Sequence, residues 1–235
     1  MNLKHDFEFD AQVSTAFDDM VQRSVPFYPE LQRMTVELAQ SFAKPGTSIV
    51  DIGCSTGETL SLLARALPDD LTLIGIDNSE PMLEEARKKL SNAGSLSRCI
   101  LRNQDINEGL HEKNVALVTM NWTLQFVRPL QRDFVLKSIH DSLIPNGALI
   151  IMEKVLTDHS LLSRLYISHY HDFKKRNGYS ESEIAEKRER LENVLIPYRI
   201  DENIQLLKRN GFSMVDTFFR WYNWAGFLAI KAPSA

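Results

Sequence analysis

The sequence predicts an α/β domain built around a doubly wound, mostly parallel sheet of seven strands. From residue 48 to residue 155, apolar runs of strand length alternate with stretches of helical spacing, the rhythm of repeated βα units. The runs are continuous rather than alternately polar and apolar, as expected of strands covered on both faces. The first, "SIVDI" (48–52), leads through a glycine-bearing turn, "GCSTG", directly into a helical pattern.

Each element follows in order. Residues 1–12 are polar and are expected to be mobile. Helical spacing covers 13–43, with a bend at "SVPFYP" (24–29), where Pro26 and Pro29 interrupt it. Residues 1–43 are thus expected to form a helical cap ahead of the main domain, 44–235. "KPGT" (44–47) is a turn. A helix is predicted over 58–67, a strand over 71–77, a helix over 80–90 and strands over 97–105 and 115–123. A helix over 129–143, closed by "IPNG", precedes a strand over 147–155. The rhythm then breaks into a charged helical insert, 157–196, followed by a helix over 201–210 that stops at Gly211. The tail, 212–232, reads as two strands joined near 222–225. A Rossmann-like parallel sheet that ends in an antiparallel hairpin is the layout of class I S-adenosylmethionine (SAM) methyltransferases rather than of NAD dehydrogenases.

Composition narrows the function. The chain has 235 residues, 43% apolar and 25% charged, with a net charge of −4, ordinary for a globular domain. An acidic balance argues against a dedicated nucleic-acid binder, but local fields still permit a small anionic ligand. Two cysteines, Cys54 and Cys99, make neither a disulfide framework nor a zinc pattern, so a reducing, cytoplasmic setting and no metal are expected. No apolar run approaches the ~18 residues of a membrane span, and "MNLKHDFEFD" is not a signal peptide.

In an open α/β sheet the ligand sits beyond the carboxyl ends of the strands. The first turn reads Asp-x-Gly-x-x-x-Gly, with Gly53 and Gly57 free to turn sharply. It lacks the G-x-G-x-x-G of dinucleotide binders and suits a ligand whose amino-acid part lies over the loop. Asp77 ends the second strand, where a carboxylate can accept from a ribose diol; Asn78 or Ser79 is the better helix cap there. Asp105 ends the third strand and can accept from an adenine amine, with Ile106 against the ring. Asn121 ends the fourth, at the expected reactive end of the ligand. For Asp105 and Asn121 the alternative is a plain turn residue. Cys54 has no base placed to activate it. His169 and His171 fall on different helix faces, unsuited to a metal pair. The aromatic "RWYNW" (220–224) is expected near the adenosine or at a dimer face.

In "YSESEIAEKRERLENVL" a capping box, Ser180 with Glu183, opens a helix. On helical spacing Ile184, Leu191 and Leu195 form one apolar stripe with Arg188 at its centre and Lys187 at its edge. A charge on a buried stripe needs an anion. That anion is either an internal acid such as Glu192 or Asp172, or a ligand carboxylate held by the guanidinium fork.

The chain resembles the carboxy-S-adenosyl-L-methionine synthases. The resemblance rests on "FDDMVQRSVPFY", "DIGCSTG", "IDNSEPML", "NWTLQF", "HDFKKRNGYSESEIAEKRERLENV" and the aromatic tail, and it covers nearly the whole chain. It implies conversion of SAM and prephenate to carboxy-SAM, phenylpyruvate and water, to supply a carboxymethyl donor for transfer-RNA wobble uridine. It places ligand contacts at Tyr28, Gly53, Cys54, Ser55, Asp77, Asn78, Asp105, Ile106, Asn121 and Arg188, with Ser55 expected to serve the methionyl end. It also implies a homodimer whose product passes to the transfer-RNA carboxymethyl-transferring enzyme. Phe27 and Trp122 depart from the family's usual glycine and phenylalanine. An ordinary SAM-dependent methyltransferase and a non-catalytic SAM-binding module are the alternatives that the residues leave open.

Overall fold

The computed structural model of the protein describes residues 10–233. The mobility expected of residues 1–12 falls mostly outside this range, and Ala11 already opens the first helix, α1 (Ala11–Ser24). The chain turns through left-handed Phe27 (φ 56°) into α2 (Tyr28–Phe42), whose first turn accepts Pro29 because no intrahelical donor is needed there.

The expected strands follow as β1 (Ser48–Ile52), β2 (Thr72–Asp77), β3 (Cys99–Asn103), β4 (Val115–Asn121) and β5 (Leu143–Leu156). Between them run α3 (Glu58–Ala66), α4 (Glu80–Asn92) and α5 (Pro129–Ser142). The insert folds into α6 (Ser160–Arg176) and α7 (Glu181–Leu191). Next come a two-residue strand β6 (Tyr198–Arg199), helix α8 (Ile200–Arg209) and the hairpin β7 (Phe212–Trp221) and β8 (Trp224–Lys231).

The sheet order is β3-β2-β1-β4-β5-β8-β7, with β6 pairing β5. Pairs among β1 to β5 are parallel, and β8 runs antiparallel to both β5 and β7. Strand β6 is an eighth strand that the sequence reading lacks: two residues carry no periodicity. The reading also starts β5 too late. Leu143 already pairs with Val115, and "IPNG" is an irregularity within the strand, with Asn146 left-handed (φ 61°).

Both faces of the sheet are covered, as continuous apolar strands require. One face packs Val50, Ile52, Val118 and Met120 against α5 and α8. The other packs Ile49, Leu73, Leu117 and Ile150 against α2 and α3. Arg132 on α5 is 1% exposed. It donates to the carbonyls of Val127, Gln125 and Ile196 and lies 4.1 Å from the Tyr198 ring. It thereby ties the end of the insert to the segment after β4.

Gly75 on β2 leaves no room for a side chain. An added Cβ would sit 2.5 Å from Leu60 Cδ1, 2.8 Å from Leu101 Cδ2 and 2.9 Å from Cys54 Sγ. Gly75→Ala is expected to destabilise the fold by about 1–3 kcal/mol through overpacking, read as a lower midpoint in urea unfolding at unchanged slope.

Candidate functional site

A pocket runs along the carboxyl edge of the sheet in strand order. Asp105 lies beyond β3, Asp77 at the end of β2, Gly53 beyond β1, Asn121 at the end of β4 and Lys154 near the end of β5. Helix α1 (Met20, Val21) and the insert (Tyr170, Lys187, Leu191) form the wall facing the sheet.

The turn after β1 is held by three successive amides. Gly53 N–H and Cys54 N–H both donate to the Ile76 carbonyl, at 2.8 and 3.1 Å, and Ser55 N–H donates to Asp77 Oδ2 at 2.9 Å. This path needs left-handed backbone at Gly53, Ser55 and Gly57 (φ 70°, 51° and 78°). At Gly53 a side chain would collide with Thr123. The Ser55 hydroxyl, expected at the methionyl end of the ligand, donates to the Met82 sulfur at 3.3 Å. Helix α1 is fastened over the turn by Asp18, which accepts from the Thr56 hydroxyl at 2.6 Å and pairs with Lys89 at 2.7 Å.

Asp77 therefore has two tasks. Its oxygens accept from Ser55 and Ser79 N–H, each at 2.9 Å, and its carboxylate also lines the pocket. Burial raises its pKa, opposed by those backbone donors. Ser79 caps α4, as the sequence suggested for that position. Asp105 accepts from the backbone and side-chain amides of Asn107, both at 2.9 Å, so it is a turn residue as well as a pocket residue. Tyr28, Cys54, Asn78 and Ile106 line the same pocket. The Tyr28 ring lies 5.4 Å from that of Trp122. Burial, followed by Asp51 and Asp77, pushes the Cys54 thiol well above its ordinary pKa, which suits packing and not nucleophilic attack.

Asn121 is 9% exposed, and among the described residues neither its side-chain nitrogen nor its oxygen has a hydrogen-bond partner. The indole nitrogens of Trp122 and Trp224 also lack one. All three residues line the pocket. A buried amide left unpaired costs about 1–3 kcal/mol, so these groups are arranged for a polar ligand.

Arg188 is not brought to this pocket. It is exposed and borders a separate depression with His171, Glu189 and Glu192, while Lys187 lines the main pocket. The sequence predicts Arg188 at the centre of an apolar stripe, but it is not there, because α7 ends at Leu191 and Leu195 is not on the helix. Without Leu195, Lys187 and Arg188 flank the line through Ile184 and Leu191 at about 50° on either side. Packing against Tyr179 turns the Lys187 side inward. The "RWYNW" segment is likewise away from the adenosine end: Trp224 lies beside Lys154 and Tyr170.

Several pocket residues went unassigned in the sequence. Asp51, 2% exposed, accepts from the Thr119 hydroxyl at 2.6 Å. Lys154 and Lys187 come from β5 and the insert. A lysine interrupting the apolar run "LIIMEKV" was the available signal for Lys154. Glu153 beside it is structural, accepting from Leu124 and Gln125 N–H at 2.9 and 3.0 Å.

Burial raises Asp51 from its ordinary 3.8 to about 7, with Asp77 adding to the rise and the Thr119 hydroxyl opposing it. A carboxyl raised on folding contributes stability in full below its unfolded pKa and loses it as pH climbs through the folded one. Thermal melts should therefore show Asp51→Asn losing less stability than wild type between about pH 4 and pH 7, in ligand-free protein.

Comparison with known proteins fixes the lineage. Residues 49–147 match a family described as "Methyltransferase domain". In fold, the chain is similar to a Methanococcus maripaludis protein grouped with the SAM-dependent methyltransferases (TM-score 0.67, 16% identity, 100% of this chain and 99% of that one). It is also similar to phosphoethanolamine N-methyltransferase 2 of Haemonchus contortus (TM-score 0.64, 15% identity, 96% and 60%), which was solved with SAM. In sequence it is 52% identical to the carboxy-S-adenosyl-L-methionine synthase of Methylococcus capsulatus over 227 residues, 96% of this chain and 94% of the relative. The synthase of Desulfotalea psychrophila is 46% identical over 96% of this chain and 92% of its own. With a Rossmann-like class I methyltransferase fold and relatives this similar over nearly their whole length, the chain belongs to the carboxy-S-adenosyl-L-methionine synthase family.

Proposed function

We propose that the protein converts SAM and prephenate to carboxy-SAM, phenylpyruvate and water. Beyond the family, the observation that carries this reading is the polarity of one pocket: Asp51 and Asp77 on the β1–β2 side, Lys154 and Lys187 at the other end. A cationic donor suits the acids and an anionic co-substrate suits the lysines.

The adenosine lies over β2 and β3, with the ribose diol on Asp77 and the adenine between Asp105 and Ile106. The methionyl part crosses the Gly53–Ser55 turn, where Asp51 offers a carboxylate to its ammonium, and the sulfonium reaches Asn121. Prephenate loses carbon dioxide and hydroxide as its ring becomes aromatic. The hydroxide removes a proton from the sulfonium methyl, giving water and an ylide, and the ylide carbon attacks the carbon dioxide to form the new carboxylate. The protein holds the two reactants together, keeps water from the carbon dioxide and stabilises the charges. A general base of its own is not required.

Arg188 enters this reading through a second copy. It is exposed on the insert and outside its own chain's pocket, and in this reading it reaches the product carboxylate in the pocket of a partner in a homodimer. The product then serves an enzyme that carboxymethylates transfer-RNA wobble uridine in the cytoplasm; this acidic chain itself need not touch the nucleic acid.

Incubation with SAM and prephenate should yield, by mass spectrometry, a species heavier than SAM by one carbon dioxide; its absence sinks the assignment. Asp77→Ala should weaken SAM binding by about 1–3 kcal/mol by calorimetry, since it removes the ribose acceptor and loosens the turn. Arg188→Ala should reduce carboxy-SAM affinity by about tenfold or more while sparing SAM, and light scattering should show a dimer. A strictly monomeric protein, or an unchanged ratio of the two affinities, rejects the role given to Arg188.

A further inference from the structure

Three lysines from three elements gather around two tyrosines at the β5 end of the pocket. Lys154 Nζ and Lys174 Nζ each lie 4.9 Å from the centre of the Tyr170 ring. Lys174 and Lys187 lie 5.9 and 5.5 Å from the centre of the Tyr179 ring. Both rings are anchored, Tyr170 through its hydroxyl to the Ser24 carbonyl at 3.0 Å and Tyr179 to that of Met20 at 3.4 Å. Lys154 and Lys187 line the pocket, and Lys174 is only 5% exposed behind them.

Among the described residues no acid pairs with any of the three. Of the insert's acids, Glu181 is engaged with Lys175 and Glu183 with the cap at Ser180. The arrangement is costly: burial brings Lys154 down to about 7, with Lys174 and Lys187 adding to the fall, and brings Lys174 and Lys187 to about 8. Aromatic faces offset part of such a cost, but clustered like charges call for an anion.

We infer that Lys154 and Lys187, backed by Lys174, form the subsite for the carboxylate that the second substrate keeps through the reaction, the side-chain carboxylate of an arylpyruvate. This rests on the synthase reading above. The choice between the two carboxylates of prephenate follows from charge. The ring carboxylate leaves as neutral carbon dioxide, so an ammonium held against it would stabilise the ground state and lose that contact in the transition state. The pyruvyl carboxylate keeps its charge throughout, so binding it does not oppose the chemistry. Tyr170, Trp122 and Trp224, in the same pocket, supply apolar faces for the ring.

The test is calorimetric titration of phenylpyruvate, which carries only the retained carboxylate, and of prephenate into protein saturated with S-adenosylhomocysteine. Wild type, Lys154→Met and Lys187→Met are compared; Lys187 lies on an outer helix, so its variant serves if the strand substitution does not fold. Each variant should bind both acids about tenfold more weakly or worse. The KM for prephenate should rise in step, with the dissociation constant for SAM changed less than about twofold. Unchanged phenylpyruvate affinity in both variants overturns the subsite and leaves the synthase reading intact. An equal loss of SAM affinity also overturns it, since the lysines would then support the donor site or the fold. A wild type that binds neither acid overturns it as well. If the wild type binds phenylpyruvate and the variants lose it, yet no carboxy-SAM forms, the subsite stands and the synthase reading fails.

Discussion

The site depends on how the end of β2 holds the turn after β1. The amides of Gly53, Cys54 and Ser55 each need an acceptor once water is excluded; the Ile76 carbonyl and the Asp77 carboxylate take all three. Their geometry forces the backbone into left-handed conformations, tolerable at glycine and strained at Ser55. The same turn launches α3, sets the depth of the pocket floor and presents Thr56 to α1. One carboxylate thus positions the loop and still faces the pocket, so this part of the pocket is organised by the chain itself.

Along the pocket the character of the wall changes with strand order. Acids stand over β1 and β2, an unpartnered amide over β4 and lysines over β5 and the insert. A parallel sheet makes this possible because every strand brings its carboxyl end to one edge. The fold is shared with methyltransferases only 15–16% identical to this chain, and a fold of this kind does not specify a reaction. The features of this chain that bear on its chemistry include the β5 end of the pocket. There the insert, fastened to α1 through Tyr170 and Asn177 and to the segment after β4 through Ile196, closes the pocket with cationic and aromatic side chains.

The legible part of the molecule was the part with local cause. Continuous apolar runs marked β1, β2 and β4, and the capping box at Ser180 and Glu183 marked α7, because period and capping act within a few residues. The pocket residues Gly53, Asp77, Asp105 and Asn121 were legible because a residue at or just beyond the carboxyl end of a parallel strand lies at the edge where the pocket forms. Strand β6 was not, since two residues gain their pairing from the long end of β5 alone. Nor was the irregularity at "IPNG", where the pairing of Leu143 with Val115 across the sheet carries the strand back into what reads as a turn.

By itself the sequence determined the layered α/β architecture, the glycine turn and the edge on which the pocket lies, all consequences of periodicity and chain order. Only the tertiary structure decided which basic residue of α7 faces the pocket. Helical spacing left Lys187 and Arg188 nearly equivalent, and contact with Tyr179, eight residues before Lys187 and anchored to α1, separated them. The grouping of Lys154, Lys174 and Lys187 was decided the same way. They are distant in sequence, each reads as an ordinary charged residue in its own segment, and the closure of the insert over the sheet edge is what gives them one environment.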